Sequence, residues 1–195
     1  MDLLNQWILV GAGGHAKAIV EGIQAEGRPP SGYVDRHECS WLKGVTRFTD
    51  DATVAEKSPT IAMGLGGQTP KQLQHRLKLL QFYLEREASA PPIIHPTAIV
   101  SASANLSSGT IVLAGAIIQP GTHIGTGVIV NTAAIVEHDC RVGPGSHIGP
   151  GAVVLGGALI GDCSMIGAKS VILSGAKIAS GAIIKAGDIY RNSTQ

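Results

Sequence analysis

A chain of 195 residues that is 44% apolar can bury one sizeable core or two small ones, and 15 Lys plus Arg against 14 Asp plus Glu leave no field that would draw a polyanion. That balance argues against nucleic acid and anionic membranes, and the one apolar run near the start, Trp7 to Val10, is too short for a signal or spanning segment. Cys39, Cys140 and Cys163 show neither a CxxC pair nor Cys/His metal spacing, so they read as reduced thiols of a cytoplasmic protein that holds no metal.

In chain order, Trp7 to Val10 reads as a strand, Gly11-Ala12-Gly13-Gly14 as a turn, and His15 to about Glu26 as a helix with Ala16, Ile19, Val20 and Ile23 on one face. A second strand ends at Tyr33-Val34-Asp35, which completes a βαβ unit with glycines at the helix start, where free N–H groups and the helix dipole attract phosphate. Gly11, Gly13 and Ala16 fit the dinucleotide fingerprint, and Asp35 stands where a ribose-binding acid is expected. Only about 90 residues precede the repeat described below, too few for a second mononucleotide half. A nucleoside diphosphate carrying a sugar therefore suits this loop better than a nicotinamide dinucleotide, with its pyrophosphate over Gly13, Gly14 and His15. A tight βα turn with no ligand is the other reading.

Thr60 to Met63 reads as a further strand and ends in Gly64-Leu65-Gly66-Gly67, a second cluster placed opposite the first if the strands are parallel neighbours. Thr69 to Glu87 has helical periodicity, with Leu73, Leu77, Leu80 and Leu84 inward and Lys71, Arg76, Lys78 and Arg86 on a solvated face. Pro91-Pro92 marks a boundary, which gives an α/β nucleotide-sugar-binding domain over 1–90 and a repeat domain over 91–195.

From Ile94 every sixth residue to Ile184 is Ile, Val or Leu, sixteen in one phase. With such residues filling about a third of the segment, chance gives this run with odds on the order of one in ten million. A small or nearly small residue follows four places after each, as at Ala98, Ala116, Cys140 and Ala176. One large and one small inward side chain per hexad suit a chain that turns a corner every six residues, so that three short strands close one triangular coil; roughly five coils result. Cys140 and Cys163 read as core residues of these coils rather than nucleophiles.

This pattern resembles the hexapeptide-repeat acyltransferases, and the resemblance implies a left-handed parallel β-helix. Gly-Ala-Gly-Gly-His-Ala-Lys, ending on Lys17, then Ile94-His95-Pro96-Thr97-Ala98, then uninterrupted hexads carrying Glu137-His138-Asp139-Cys140, resembles the sialic acid O-acetyltransferase and bacillosamine N-acetyltransferase family over nearly the whole chain. The resemblance implies an acetyl-CoA-dependent enzyme of glycan biosynthesis, a homotrimer with active sites between subunits, and a nucleotide-sugar substrate held by Gly11, Gly13, Gly14, His15, Lys17, Asp35 and Gly64.

Acetyl transfer needs a base for the acceptor proton and a donor for the oxyanion that develops. His138 is the best candidate base: it stands at a corner beside Glu137 and Asp139, and a neighbouring carboxylate fixes the imidazole tautomer. The family's His-acid dipeptide falls on His138 and Asp139, a histidine that helps position the acetyl group matches His147, and the position whose N–H contacts the acetyl carbonyl matches Gly156. His147 is half a coil from His138 and is expected not to touch it within one chain. The expected reaction is direct attack by the amine of a nucleotide-linked 4-amino-4,6-dideoxy sugar. O-acetylation of a sialic acid and a structural or regulatory solenoid remain the alternatives. A β-helix carbonic anhydrase fails on spacing, since His95, His123, His138 and His147 are separated by 28, 15 and 9 residues. The family's closing Gly-x-Pro-Ala-Lys segment is missing from the tail that ends at Gln195, which leaves the outer CoA contacts unassigned.

Overall fold

The computed structural model describes residues 7–25 and 29–192. Its first part is a parallel four-stranded sheet in the order β3 (Thr46–Phe48), β2 (Gly32–Val34), β1 (Trp7–Val10), β4 (Thr60–Met63). Strand β1 is central and buried along its length, which is why its sequence is a continuous apolar run rather than an alternating one. Helix α1 (Gly14–Ala25) packs Ala16, Ile19, Val20 and Ile23 into the core; Glu26, the expected helix end, lies outside the described residues, as does Gln195.

Strand β3 and helix α2 (Asp51–Ala55) were not legible in the sequence. β3 is a three-residue, largely exposed edge without alternation, and α2 is one turn begun by Asp50, whose carboxylate accepts from Thr53 N–H at 2.9 Å.

Helix α3 (Pro70–Leu84) starts from a capping box in which Thr69 and Gln72 exchange side-chain bonds. Its buried stripe is Leu73, Arg76, Leu80 and Tyr83, while Leu77 and Leu84 are half-buried. Arg76 is thus fully buried, not solvated as its charge suggested. The reason is the surface under α3, a column of β-helix corners at Gly109, Gly127 and Gly145 where a methyl group would collide with Leu80, Arg76 or Leu77. Bare backbone lets the helix approach closely enough to enclose the guanidinium, whose Nε donates to Leu65 O at 2.8 Å and whose Nη1 donates to Gly127 O.

From Ile93 the chain forms a left-handed parallel β-helix of two-residue strands, β5 (Ile93–Ile94) to β21 (Ile189–Tyr190), in three sheets of six, six and five strands. Each strand pairs with the one 18 residues on, as Ile129 with His147 and Ile135 with Val153. The second residue of each pair points inward and stacks, giving a single core of Val112, Val130, Ile148, Ile166 and their equivalents. Cys140 lies in that core. Cys163 is the correction: it sits at a corner with φ 50°, buried near Leu77, one place before the inward Ser164. Burial pushes both thiols upward, which makes them inert.

The three outer faces differ in chemistry. Ile93, Ile111, Ile129 and His147 on the first are covered by the α/β part, whereas Ile183 at its end is 53% exposed. The second presents Ile99, Ile117, Ile135, Val153, Val171 and Ile189, with the end residues 64% and 63% exposed. The third presents Asn105, His123, Arg141, Leu159 and Lys177. No helix among the described residues is long and apolar enough to cross a membrane.

Candidate active site

His138 and Asp139 form the corner between β12 (Ile135–Val136) and β13 (Arg141–Val142). The neighbouring coils hold their backbones: Asp139 N–H donates to Pro120 O at 3.0 Å, and His138 O accepts from Gly157 N–H at 2.9 Å. His138 Nδ1 lies 2.8 Å from Asp139 Oδ2, with the two side chains 63% and 73% exposed. Since an ionised carboxylate only accepts, in the neutral ring Nδ1 carries the proton and Nε2 keeps the lone pair.

One coil on, Gly156 lies against that imidazole: a methyl at Gly156 would sit 2.6 Å from His138 Nε2. The Gly156 carbonyl accepts from Gly175, but its N–H finds no acceptor among the described residues. His138, Asp139 and Gly156 therefore meet at one corner, with an imidazole, the carboxylate that anchors it and an uncommitted donor beside a surface that has no side chain.

His147 belongs to a different cluster. It is buried beneath the α/β part, where Nδ1 donates to Gly67 O at 2.7 Å and Nε2 accepts from Asn131 Nδ2 at 2.9 Å. Burial, and secondarily the Arg76 charge, outweigh the Gly67 bond and keep His147 neutral by lowering its pKa. His15 stands with its ring 6.3 Å from that of His147. Burial first, then Arg76 and His147, bring its pKa down to about 4. Two buried polar atoms of this cluster, His15 Nε2 and Arg76 Nη2, have no hydrogen-bond partner among the described residues. Arg76 falls to about 10 by burial alone.

The burial of Arg76, the part played by Asn131 and the bond from His147 to Gly67 escaped the sequence reading. Only Arg76 left a signal, as a charge placed three after Leu73 and four before Leu80 on an otherwise apolar stripe.

The two glycine loops leave neighbouring strands, β1 and β4, at their carboxyl ends, where sheet order reverses direction and open α/β sheets bind ligands. Within them the glycines sort into two kinds. Gly11 has φ +87° and a methyl there would meet Leu65 at 2.6 Å, while a methyl on Gly64 would reach Gly11 O at 2.0 Å, so the fold itself needs both. Gly13 and Gly14 would place a methyl with nothing within 4 Å of it, and packing does not explain them.

Asp35 joins its strand to the first loop: Oδ2 accepts from Ala12 N–H at 2.9 Å and Oδ1 from His37 N–H at 3.0 Å. Its partial burial works upward, but these bonds prevail and hold its carboxyl below the usual range. It lines a cleft of about 470 Å³ with Arg36, His37, Asp50 and His75. Beside the second loop, Gly66, Gly67, Lys71 and Arg76 line another of about 550 Å³. Lys17 places its Nζ 6.0 Å from the centre of the Trp41 ring, whose Nε1 donates to Ala12 O of the first loop at 3.1 Å. Among the described residues no three His, Cys, Asp or Glu side chains converge as a metal site would require.

Neither a scan of protein-family models nor a search of curated proteins finds a match. Solved structures do match. The acetyltransferase domain of PglB from Neisseria gonorrhoeae, in complex with acetyl coenzyme A, is 30% identical, with 94% of this chain and 89% of that one aligned at a TM-score of 0.85. PerB from Caulobacter crescentus, in complex with CoA and GDP-perosamine, is 29% identical over 96% of this chain and 89% of that one, at a TM-score of 0.87. WeeI from Acinetobacter baumannii, at 16% identity, 94% and 95% coverage and a TM-score of 0.71, shares the fold.

Proposed function

This chain belongs to the hexapeptide-repeat sugar acetyltransferases, and we propose that it transfers acetyl from acetyl-CoA to the amino group of a nucleotide-linked 4-amino-4,6-dideoxy sugar, with His138 as general base. The observation that carries this reading is the corner at His138. Asp139 takes the Nδ1 proton as a hydrogen bond and so presents the Nε2 lone pair to the amine that loses a proton on attack. Acetyl-CoA supplies the activated acyl group. Gly156 leaves room for it against Nε2 and offers its free N–H to the negative charge that develops on the acyl oxygen. His147 is assigned to the acetyl end of the site by resemblance. Its nitrogens already serve Gly67 and Asn131, so what it offers an acyl group is the ring itself.

The nucleotide-sugar assignment is supported by the open Cα faces of Gly13 and Gly14 at the start of α1, by the unpartnered Nε2 of His15 nearby, and by the GDP-perosamine bound to PerB. Gly11 and Gly64 shape this pocket, and Asp35 fixes its far edge. The aliphatic second face needs a cover, and a homotrimer with active sites between subunits provides it. Sedimentation at three chain masses, lost in Ile117→Asp, is the expected result; a wild-type monomer would refute the assembly.

The reaction is tested by thiol release from acetyl-CoA with a panel of UDP- and GDP-linked 4-amino-6-deoxy sugars beside free sialic acid. Release with one nucleotide sugar is expected. Release with sialic acid alone would replace amine by hydroxyl acceptor, and silence throughout with CoA bound would overturn the acceptor class.

A further inference from the structure

Exposed on a solvated corner, His138 and Asp139 have few neighbours to fix their rotamers, yet a general base works only if its lone pair is held in one direction. Two bare glycines lie against their side chains. Gly156 meets the imidazole from the coil after. From the coil before, Gly121 lies under the carboxylate: a methyl there would stand 2.5 Å from Asp139 Oδ1, the oxygen not bonded to His138.

Asp139 owes this placement to its backbone. At φ +58° it holds the left-handed corner conformation that glycine holds in the same column at Gly121 (+70°), Gly157 (+71°) and Gly175 (+66°). Asp tolerates that conformation better than most residues. The resulting direction of its side chain sends Oδ2 to His138 and Oδ1 over the Gly121 Cα.

We infer that Gly121 is a positioning residue for acetyl transfer: its missing side chain makes the seat on which the Asp139 carboxylate rests while it orients His138. This rests on the assignment of His138 as base, and it adds a requirement that the His-acid dipeptide does not contain. Neither the glycine's conformation nor its turn explains the contact, because Gly115 and Gly175 have the same left-handed conformation and meet nothing nearer than 3.9 Å.

The test compares three substitutions of equal backbone strain in the full-length enzyme. Gly121→Ala is expected to lower kcat about tenfold or more with KM for both substrates unchanged, while Gly115→Ala and Gly175→Ala stay within about twofold of wild type. In an Asp139→Ala background, where no carboxylate remains to be displaced, Gly121→Ala should cost nothing further. An equal loss in both backgrounds, or equal losses in all three single variants, would overturn the inference and leave a merely structural glycine. If Gly121→Ala does not fold, the double variant with Asp139→Ala decides: recovery of the fold assigns the fault to the clash, and continued misfolding assigns it to strain and refutes the seat. Should His138→Ala and Asp139→Ala themselves keep full kcat, the base assignment fails first, a result that the glycine comparison cannot imitate.

Discussion

The β-helix and the α/β part reach stability by opposite routes. In the β-helix each inward side chain touches its equivalents 18 residues before and after, so one column of Val112, Val130, Ile148, Ile166 and Ile184 repeats a single solution. In the α/β part no contact repeats. Two separate clusters flank the sheet, one of them shared with Ile93, Ile111 and Leu113 of the β-helix, and the join adds buried polar groups to that apolar contact, with Arg76 on Gly127 and His147 on Gly67. Regular packing localises damage and is indifferent to pH. A polar join is sensitive to protonation and can carry a ligand.

The largest expected effect bears on the first half of that contrast. Ile148→Ala empties the middle of the stack and should cost about 4 kcal/mol in denaturant unfolding, whereas Ile183→Ala, outward at the far end, should cost under about 1 kcal/mol. Similar losses would show that the coils do not act as neighbours in a row.

Acid probes the second half. His15 has a folded pKa of about 4 against an ordinary 6.5, so the unfolded chain takes up a proton that the folded one refuses between these values. Stability is then full above pH 6.5 and falls by about 3 kcal/mol as the pH drops toward 4. His147, also lowered, adds in the same direction. Thermal melts at pH 7 and pH 4.5 should show the loss in wild type, and His15→Gln should flatten it.

His138→Ala touches function without stability. Its exposed side chain supports no core, so kcat should fall about a hundredfold, near 3 kcal/mol of barrier, at unchanged melting temperature. The smallest effect separates the two kinds of loop glycine. Gly13→Leu should leave the fold intact and raise KM for the nucleotide sugar about tenfold, about 1.4 kcal/mol, while Gly11→Ala should lower the melting temperature instead. An unchanged KM for Gly13→Leu would return that loop to a plain turn.

The same contrast decided what the sequence disclosed. Hexads are a strict period, so the coils, their inward residues and the neighbourhood of His138 and Gly156, one 18-residue step apart, can be counted off along the chain. The glycine loops on adjacent parallel strands followed from βαβ chemistry. Arg76 did not, because a charge on a helix is solvated by default and only the glycine corners beneath α3 make its burial feasible. The bond from His147 to Gly67 spans 80 residues and follows no periodicity. Cys163 was assigned inward where the chain places it at a corner, a slip of one position that the small-residue rule cannot detect when Ser164 follows.

The unlike outer faces also give the fold a reading frame for insertions and deletions. Adding six residues keeps every inward position filled, so the core accepts it, yet it turns all later coils by a third of a revolution. Residues of the aliphatic face would then sit on the polar one, and the corners at the junction would lose their partners in the coil across it. Eighteen residues restore every face. Length change in such a chain is therefore quantised in whole coils, and the permitted places lie after Gly156 and beyond the reach of the α/β part, where an added coil would lengthen the surface past that corner without disturbing His138.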